Sequence, residues 1–272
     1  MTTRVDRSRP VALTAAPTGG RERIAGRRRD KEEDDKPRGR LELLDGCAVS
    51  LMGHQVPLPL GSQRLLALLA LHERPLQRTY IAATLWADYA EQRSVANLRT
   101  ALARLPQTAG RLVEVVGRQL RLSMWVTVDV RETAELARRV VDGDGHVLRV
   151  NGLHRRLMDD LLPDWYDEWV LAEQERYREL RLHALEALCD GLTHLHAYGP
   201  AIEAGLAAVA GEPLRESARR VLIRAYLAEG NRAAAMFQYR KFHSLLDREL
   251  GMSPSRSLTE LVTAAEPNGR SS

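Results

Sequence analysis

Cysteine is scarce in this chain. Cys47 and Cys189 are the only two among 272 residues, and they lie far apart with no paired spacing. That argues against a disulfide framework and for a reducing compartment. Aromatic residues make up 5%, with only two Phe, so a core must come mainly from aliphatic side chains. No apolar run approaches the roughly 18 residues needed to span a bilayer. The stretch around Val11-Ala12-Leu13 is too short for a signal peptide, so the cytoplasm is the expected location, with no membrane partner. Metal-ligand spacing is missing too. Cys189, His194 and His196 match no closed tetrahedral site, and a helix turns the two histidines to different sides. No cofactor is expected. The acids Asp159-Asp160, Asp164, Asp167 and Glu168 read as helix-start residues rather than an acid–base pair, and no enzyme activity is expected. Trp165, Tyr166 and Trp169 are expected to be core anchors between helices.

What is present is ordinary soluble-protein material: 44% hydrophobic and 28% charged residues, enough for one or two domains with their own cores. The net charge of +4 is unevenly spread. Residues 1–40 carry 12 Lys/Arg against 7 Asp/Glu, residues 41–130 carry 9 against 7, and residues 131–272 carry 19 against 22. The amino-terminal half is the better candidate for meeting phosphates.

Residues 1–40 lack hydrophobic periodicity and hold Arg27-Arg28-Arg29 followed by Glu32-Glu33-Asp34-Asp35, so they are read as a disordered tail. From Leu41 to about residue 128 the pattern is sheet, three helices, hairpin. Leu41–Leu43, Ala48–Leu51 and Gln55–Leu58 suit short strands, with a turn at Met52-Gly53-His54. A leucine-rich helix follows, with Ser62 as expected N-cap, then a short one capped by Thr79 and ending near Trp86. A third runs from about Arg93 to Leu105, where Pro106 breaks it. Leu112–Val116 and Leu120–Leu122 around Gly117 read as a hairpin. That order is a winged helix-turn-helix with a leading sheet. Residues 129–265 are helical almost throughout, with expected helices at Arg131–Val141, Tyr166 to about Leu195, Leu214–Ala228 and Asn231–Leu250. Gly199 and Gly230, each read as following one helix and preceding the next, are 31 residues apart. That is close to the 34-residue tetratricopeptide period, so a short stack of helical hairpins is expected. Residues 266–272 form a second expected tail. The fold class is therefore mainly α with a small β component.

The third helix carries the functional signal. Val95, Leu98, Leu102 and Leu105 fall on one side of a 3.6-residue helix, and Arg93, Asn97, Thr100 and Arg104 on the other. Asn can bond adenine N6 and N7, Arg can bond guanine O6 and N7, and Thr can meet a thymine methyl, so the polar stripe suits a major groove. Arg118 and Arg121, flanking the hairpin turn, are candidates for the phosphate backbone or minor groove.

The chain resembles the Streptomyces antibiotic regulatory protein family, which joins an OmpR-type winged helix to a bacterial transcriptional activation domain. The resemblance spans about residues 41–265. It rests on Leu161-Leu162-Pro163-Asp164-Trp165-Tyr166-Asp167-Glu168-Trp169-Val170, Glu173-Gln174-Glu175-Arg176, Glu212-Pro213-Leu214-Arg215-Glu216-Ser217, Gln238-Tyr239-Arg240 and Leu250-Gly251-Met252-Ser253-Pro254-Ser255. Ser94 to Leu105 is similar to the family's recognition helix. The pattern departs from the family at Pro106-Gln107, where the helix usually continues with an arginine, and at Gly117-Arg118-Gln119, where the wing usually carries Gly-Gly-Tyr. The resemblance implies an activator that binds direct-repeat sites in double-stranded promoter DNA, self-associates on them and recruits RNA polymerase holoenzyme, commonly at secondary-metabolite (antibiotic) genes. It assigns the loop with Asp88, Glu91 and Gln92 to polymerase. Larger members append an ATPase module. No Gly-x-x-x-x-Gly-Lys-Ser/Thr run is present here, so no nucleotide switch is expected. The alternatives are a helical interaction adaptor with a degenerate winged helix, and a repressor using the same DNA domain.

Overall fold

The computed structural model describes residues 39–106, 112–150 and 152–264. The two tails expected at 1–40 and 266–272 therefore lie outside the described residues, except that the first strand already begins at Gly39. Strands β1 (Gly39–Glu42), β2 (Ala48–Leu51) and β3 (His54–Gln55) form an antiparallel meander, and β7 (Val126–Val128) joins β1 in parallel to give the order β3-β2-β1-β7. Met52 and Gly53 both take positive φ, 52° and 81°, the geometry a two-residue hairpin turn demands. Three helices follow: α1 (Leu60–Leu71), α2 (Arg78–Leu85) and α3 (Glu91–Ala103). β4 (Leu76–Gln77), β5 (Val113–Val116) and β6 (Gln119–Leu122) then make a second sheet of order β4-β6-β5. The core beneath is aliphatic, with Leu65, Leu68, Leu76, Ile81, Leu85 and Leu98 buried.

Helix α4 (Asp129–Val141) starts on the residue after β7. A 3₁₀ turn at Val147–Arg149 and the short α5 (Leu153–Arg156) lead to α6 (Glu168–His194), α7 (Tyr198–Gly211), α8 (Glu216–Glu229), α9 (Arg232–Leu250) and α10 (Arg256–Thr263). The stretch from Tyr166 to Leu195 is thus mainly one long helix. Helices α6 with α7, and α8 with α9, pack as successive hairpins. Their close approach depends on small residues: a Cβ on Gly205 would lie 3.0 Å from Cys189 Sγ and 3.2 Å from the Leu222 backbone. Gly230 ends α8 at φ 90°, as a helix-terminating glycine should. Gly199, expected to lie between helices, is instead the second residue of α7.

Several expected caps are replaced. Pro59 precedes α1 and Gln77 precedes α2. Ser62 is buried inside α1 and donates to the Ala101 carbonyl (2.9 Å), because a hydroxyl facing α3 finds an orphan acceptor there. Of the three aromatic anchors, Trp165 and Trp169 do pack edge-to-face at 6.4 Å against the core, but Tyr166 is 79% exposed.

No flexible linker separates the two halves. The Asp129 carboxylate is buried and accepts the backbone N–H groups of Leu43 (2.9 Å), Leu44 (3.0 Å) and Val130 (2.7 Å). Burial pushes its pKa upward, against those three hydrogen bonds and the Arg40 charge. Arg131, one turn-face along, donates to Ala70 O (2.6 Å), Leu69 O (3.1 Å) and His72 O (3.0 Å), so it caps the carbonyl end of α1. From the far side, Leu162 N–H donates to Leu43 O (2.9 Å), Asp45 N–H to Asp160 O (2.8 Å), and Arg64 pairs with Asp167. Leu161, Leu162, Val170 and Tyr177 belong to the same buried cluster as the strands and α1.

Replacing Asp129 with Asn swaps one acceptor for an N–H donor facing backbone N–H groups. Asp129→Asn is expected to cost about 1–3 kcal/mol, seen as a lower melting temperature by circular dichroism, with both halves lost in one transition.

Candidate nucleic-acid interface

Helix α3 is held by two buried serines. Ser62 ties it to α1 as above, and Ser94 donates to Trp86 O (2.9 Å), which closes the end of α2. The buried line of α3 is therefore Ser94, Leu98 and Ala101, with Leu105 just beyond, while Val95 and Leu102 are only half-buried. Sequence periodicity places Val95 and Leu102 in that line and does not include Ser94. Because a serine takes the central inward position, the helix is rotated relative to that expectation. It also starts at Glu91, so Glu91 and Gln92 are its first turn rather than a loop. Asp88 sits in the exposed turn before it, and Glu91, also exposed, suits the positive end of the helix dipole.

At about 100° per residue, the rotation carries the outermost face to Gln92, Ala96, Arg99, Thr100 and Ala103, with Arg93 and Arg104 on one flank. All seven are exposed. Two alanines at the centre of such a face allow the backbone to approach a partner closely, with arginines on both sides of them. Arg99 was missed by the four-residue stripe although it lies opposite buried Leu105 and Ala101. Tracing the outer arc around Ser94 instead of Val95 would have found it. Among the described residues Arg99 forms no ion pair.

The four stripe residues fare differently. Arg93 is exposed but stacks its guanidinium 5.1 Å from the Tyr89 ring centre. Thr100 is exposed, its hydroxyl donating to Ala96 O (3.0 Å) and its methyl left free. Asn97 is half-buried; with Arg104 it lines a small cleft of about 190 Å³ shared with Gly61, Trp86 and Tyr89. In the hairpin, Gly117 takes φ 61° and Arg118 stands exposed at the turn. Arg121 faces Glu114 across the ladder and is ion-paired to it at 2.7 Å, because the two lie in register on the same face. Its charge is already met inside the hairpin. Strand β5 closes on the carboxy-terminal end of α3, where Val113 and Val115 line a cleft with Ala103 and Arg78. Arg78 is a further basic side chain beside this face that the sequence reading did not single out.

Neither thiol offers chemistry: burial pushes Cys47 up to about 11 and Cys189 up to about 12. His194 and His196 are engaged with Asp190 O (2.8 Å) and the Tyr198 hydroxyl (2.7 Å) respectively. No helix among the described residues is long and apolar enough to cross a membrane.

The helices beyond this face match the bacterial transcriptional activator domain over residues 156–264. The chain carries that activator domain. Over 220 residues it is 29% identical to the regulatory protein AfsR of Streptomyces coelicolor, covering 75% of this chain and 22% of the relative, and over 192 residues 27% identical to AfsR of Streptomyces griseus, covering 65% and 19%. The chain thus spans about a fifth of the length of these relatives, to which it is distantly homologous. In three dimensions it is similar to Mycobacterium tuberculosis EmbR, solved with a low-affinity phosphopeptide. The TM-score is 0.65 at 20% identity, over 84% of this chain and 65% of that one. That likeness extends across both halves, a small mixed α/β region followed by helices, so the fold is shared beyond the activator domain.

Motif residues of the activator domain now have physical roles. Gln174 donates to Leu162 O (2.8 Å), Arg215 bridges Glu186 (2.6 Å) and Glu179 (2.9 Å), and Glu216 accepts from the Ser255 N–H (2.8 Å) and its hydroxyl. Each of these ties one segment of the helical layer to the next.

If α3 is positioned by its serines, Ser94→Ala is expected to cost about 1 kcal/mol, with Trp86 O keeping only the Tyr89 N–H (3.2 Å). Thermal melting reads the loss, and amide exchange should speed up at the end of α2 rather than in the activator domain.

Proposed function

We propose that this protein is a cytoplasmic transcription regulator that reads double-stranded promoter DNA with α3 and acts on RNA polymerase. The observation that carries the reading is the exposed α3 face, with alanines flanked by arginines, held by buried serines and fastened without a linker to an activator domain. Arg93, Asn97, Thr100 and Arg104, with Arg99 added, are the proposed base and near-base contacts. Arg118 is proposed for the phosphate backbone. Arg121 can reach phosphate only by releasing Glu114, so it ranks below Arg118. The turn at Asp88 and the first α3 turn, Glu91 and Gln92, project from the same helix and are the proposed polymerase contact. Activation rather than repression, secondary-metabolite genes as targets, and self-association on direct repeats are what the resemblance to the Streptomyces antibiotic regulatory protein family implies, and they form part of the proposal. The regulatory character of those relatives also supports a non-enzymatic role.

Fluorescence anisotropy on a genomically mapped site, repeated across salt concentrations, tests the DNA reading. The fall of log affinity with log salt should match several phosphate contacts. Asn97→Ala and Arg99→Ala should each lower specific affinity by about 1–3 kcal/mol and relax preference at one base pair. Arg118→Ala should weaken all sequences alike and reduce the salt slope by about one. A flat salt dependence, with no saturable binding below micromolar protein, would instead favour the adaptor. For the polymerase contact, Asp88→Ala with Glu91→Ala should leave DNA affinity within about twofold, since neither lies on the outer face of α3 that carries Gln92 and Arg99, while transcription in vitro falls. Equal loss of both would show that these residues orient α3.

A further inference from the structure

A cleft away from the α3 face lies between the carboxy-terminal end of α1 and helices α4 and α6, with a volume of about 740 Å³. That volume is in the range that holds small organic ligands, and boundaries between domains are where such sites concentrate. Its floor is apolar: Val130, Ala134, Leu161 and Leu180, together with the ring of Tyr177. Tyr177 is buried, and its hydroxyl is closed off from the cleft.

The rim is charged with a positive excess. Arg74, Arg131, Arg138 and Arg176 face Glu73, Glu135 and Glu173. Arg131 is spent on the α1 carbonyls and fixes that wall. Arg138 and Arg176 make only long contacts to their acids, 3.5 and 3.8 Å, on exposed side chains. Arg74 is exposed and forms no ion pair among the described residues. Donors that are weakly engaged above an apolar floor suit a ligand with an anionic head and a hydrophobic body.

We propose that this cleft is a binding site for a small amphipathic organic anion, a carboxylate or sulfonate on an aromatic or aliphatic body, held against both the reader helices and the activator domain. Binding there touches α1 on one wall and α4 and α6 on the others, so occupancy favours the arrangement in which those elements are joined. The site does not depend on the DNA reading, and its test needs no DNA.

The probe is 8-anilinonaphthalene-1-sulfonate, titrated into the full chain and read by its fluorescence. One saturable site is expected, with Kd in the tens of micromolar, roughly what a ligand of that size achieves. Ala134→Trp, which fills the floor, should weaken it tenfold or more. Arg74→Glu, a charge reversal on an exposed side chain that leaves the core intact, should do the same. The cationic dye thioflavin T, of similar size, should bind at least tenfold more weakly than the sulfonate. Dye binding that never saturates, an affinity unchanged by Arg74→Glu, or equal binding of thioflavin T would each overturn the proposal.

Discussion

A carboxylate that accepts three backbone N–H groups fixes three points of the chain at once, and Asp129 does so where the last strand of the sheet becomes the first helix of the next layer. Two of those donors, Leu43 and Leu44, follow directly after β1, and the third is the start of α4. Moving the helix relative to the sheet would strand all three in an apolar setting, where an unmet N–H costs far more than a met one gains. Arg131 repeats the logic with opposite sign by collecting the orphan carbonyls of α1. Together they turn what would be a hinge into a joint with no free torsion, and the stack of activator helices grows outward from it.

Much of this was legible in the sequence. The order of sheet, helices and hairpin follows from apolar periodicity and turn residues, and the helical hairpins from glycine spacing. What was not legible were the places where a polar side chain sits inside. Ser62 and Ser94 look like capping or surface residues on composition alone; both point inward, Ser62 to the Ala101 carbonyl and Ser94 to the Trp86 carbonyl at the end of α2. The position of Ser94 rotates α3, so Asn97 moves to a flank and Arg99 to the outer face. Arg121 was likewise unreadable, since its pairing with Glu114 depends on strand register, which one sequence leaves open. Tyr166 reads as a core anchor along with Trp165 and Trp169, yet it lies just before α6 and its side chain is exposed to solvent.

The resembled family motifs illustrate the same divide. Gln174, Arg215 and Glu216 read as a signature, and the structure explains the residue types by the acceptors and donors they must reach: the Leu162 and Trp165 carbonyls, two glutamates on α6, and the Ser255 turn. Buried Arg219, bonded to Gln238 and stacked on Phe242, is a further case in which a charged residue is retained for its place between α8 and α9.

The direct passage from β7 into α4 bears on how the halves can be recombined. A chimera cut between Val128 and Asp129 would part the carboxylate from Leu43 and Leu44, and the guanidinium of Arg131 from α1, while the segment that completes the core of the amino-terminal half, Leu161 to Tyr177, would stay with the other piece. Modules of this architecture are therefore not interchangeable at the apparent boundary. An exchange that preserves both has to carry the amino-terminal half with everything through the first turns of α6, and place the seam farther along that helix.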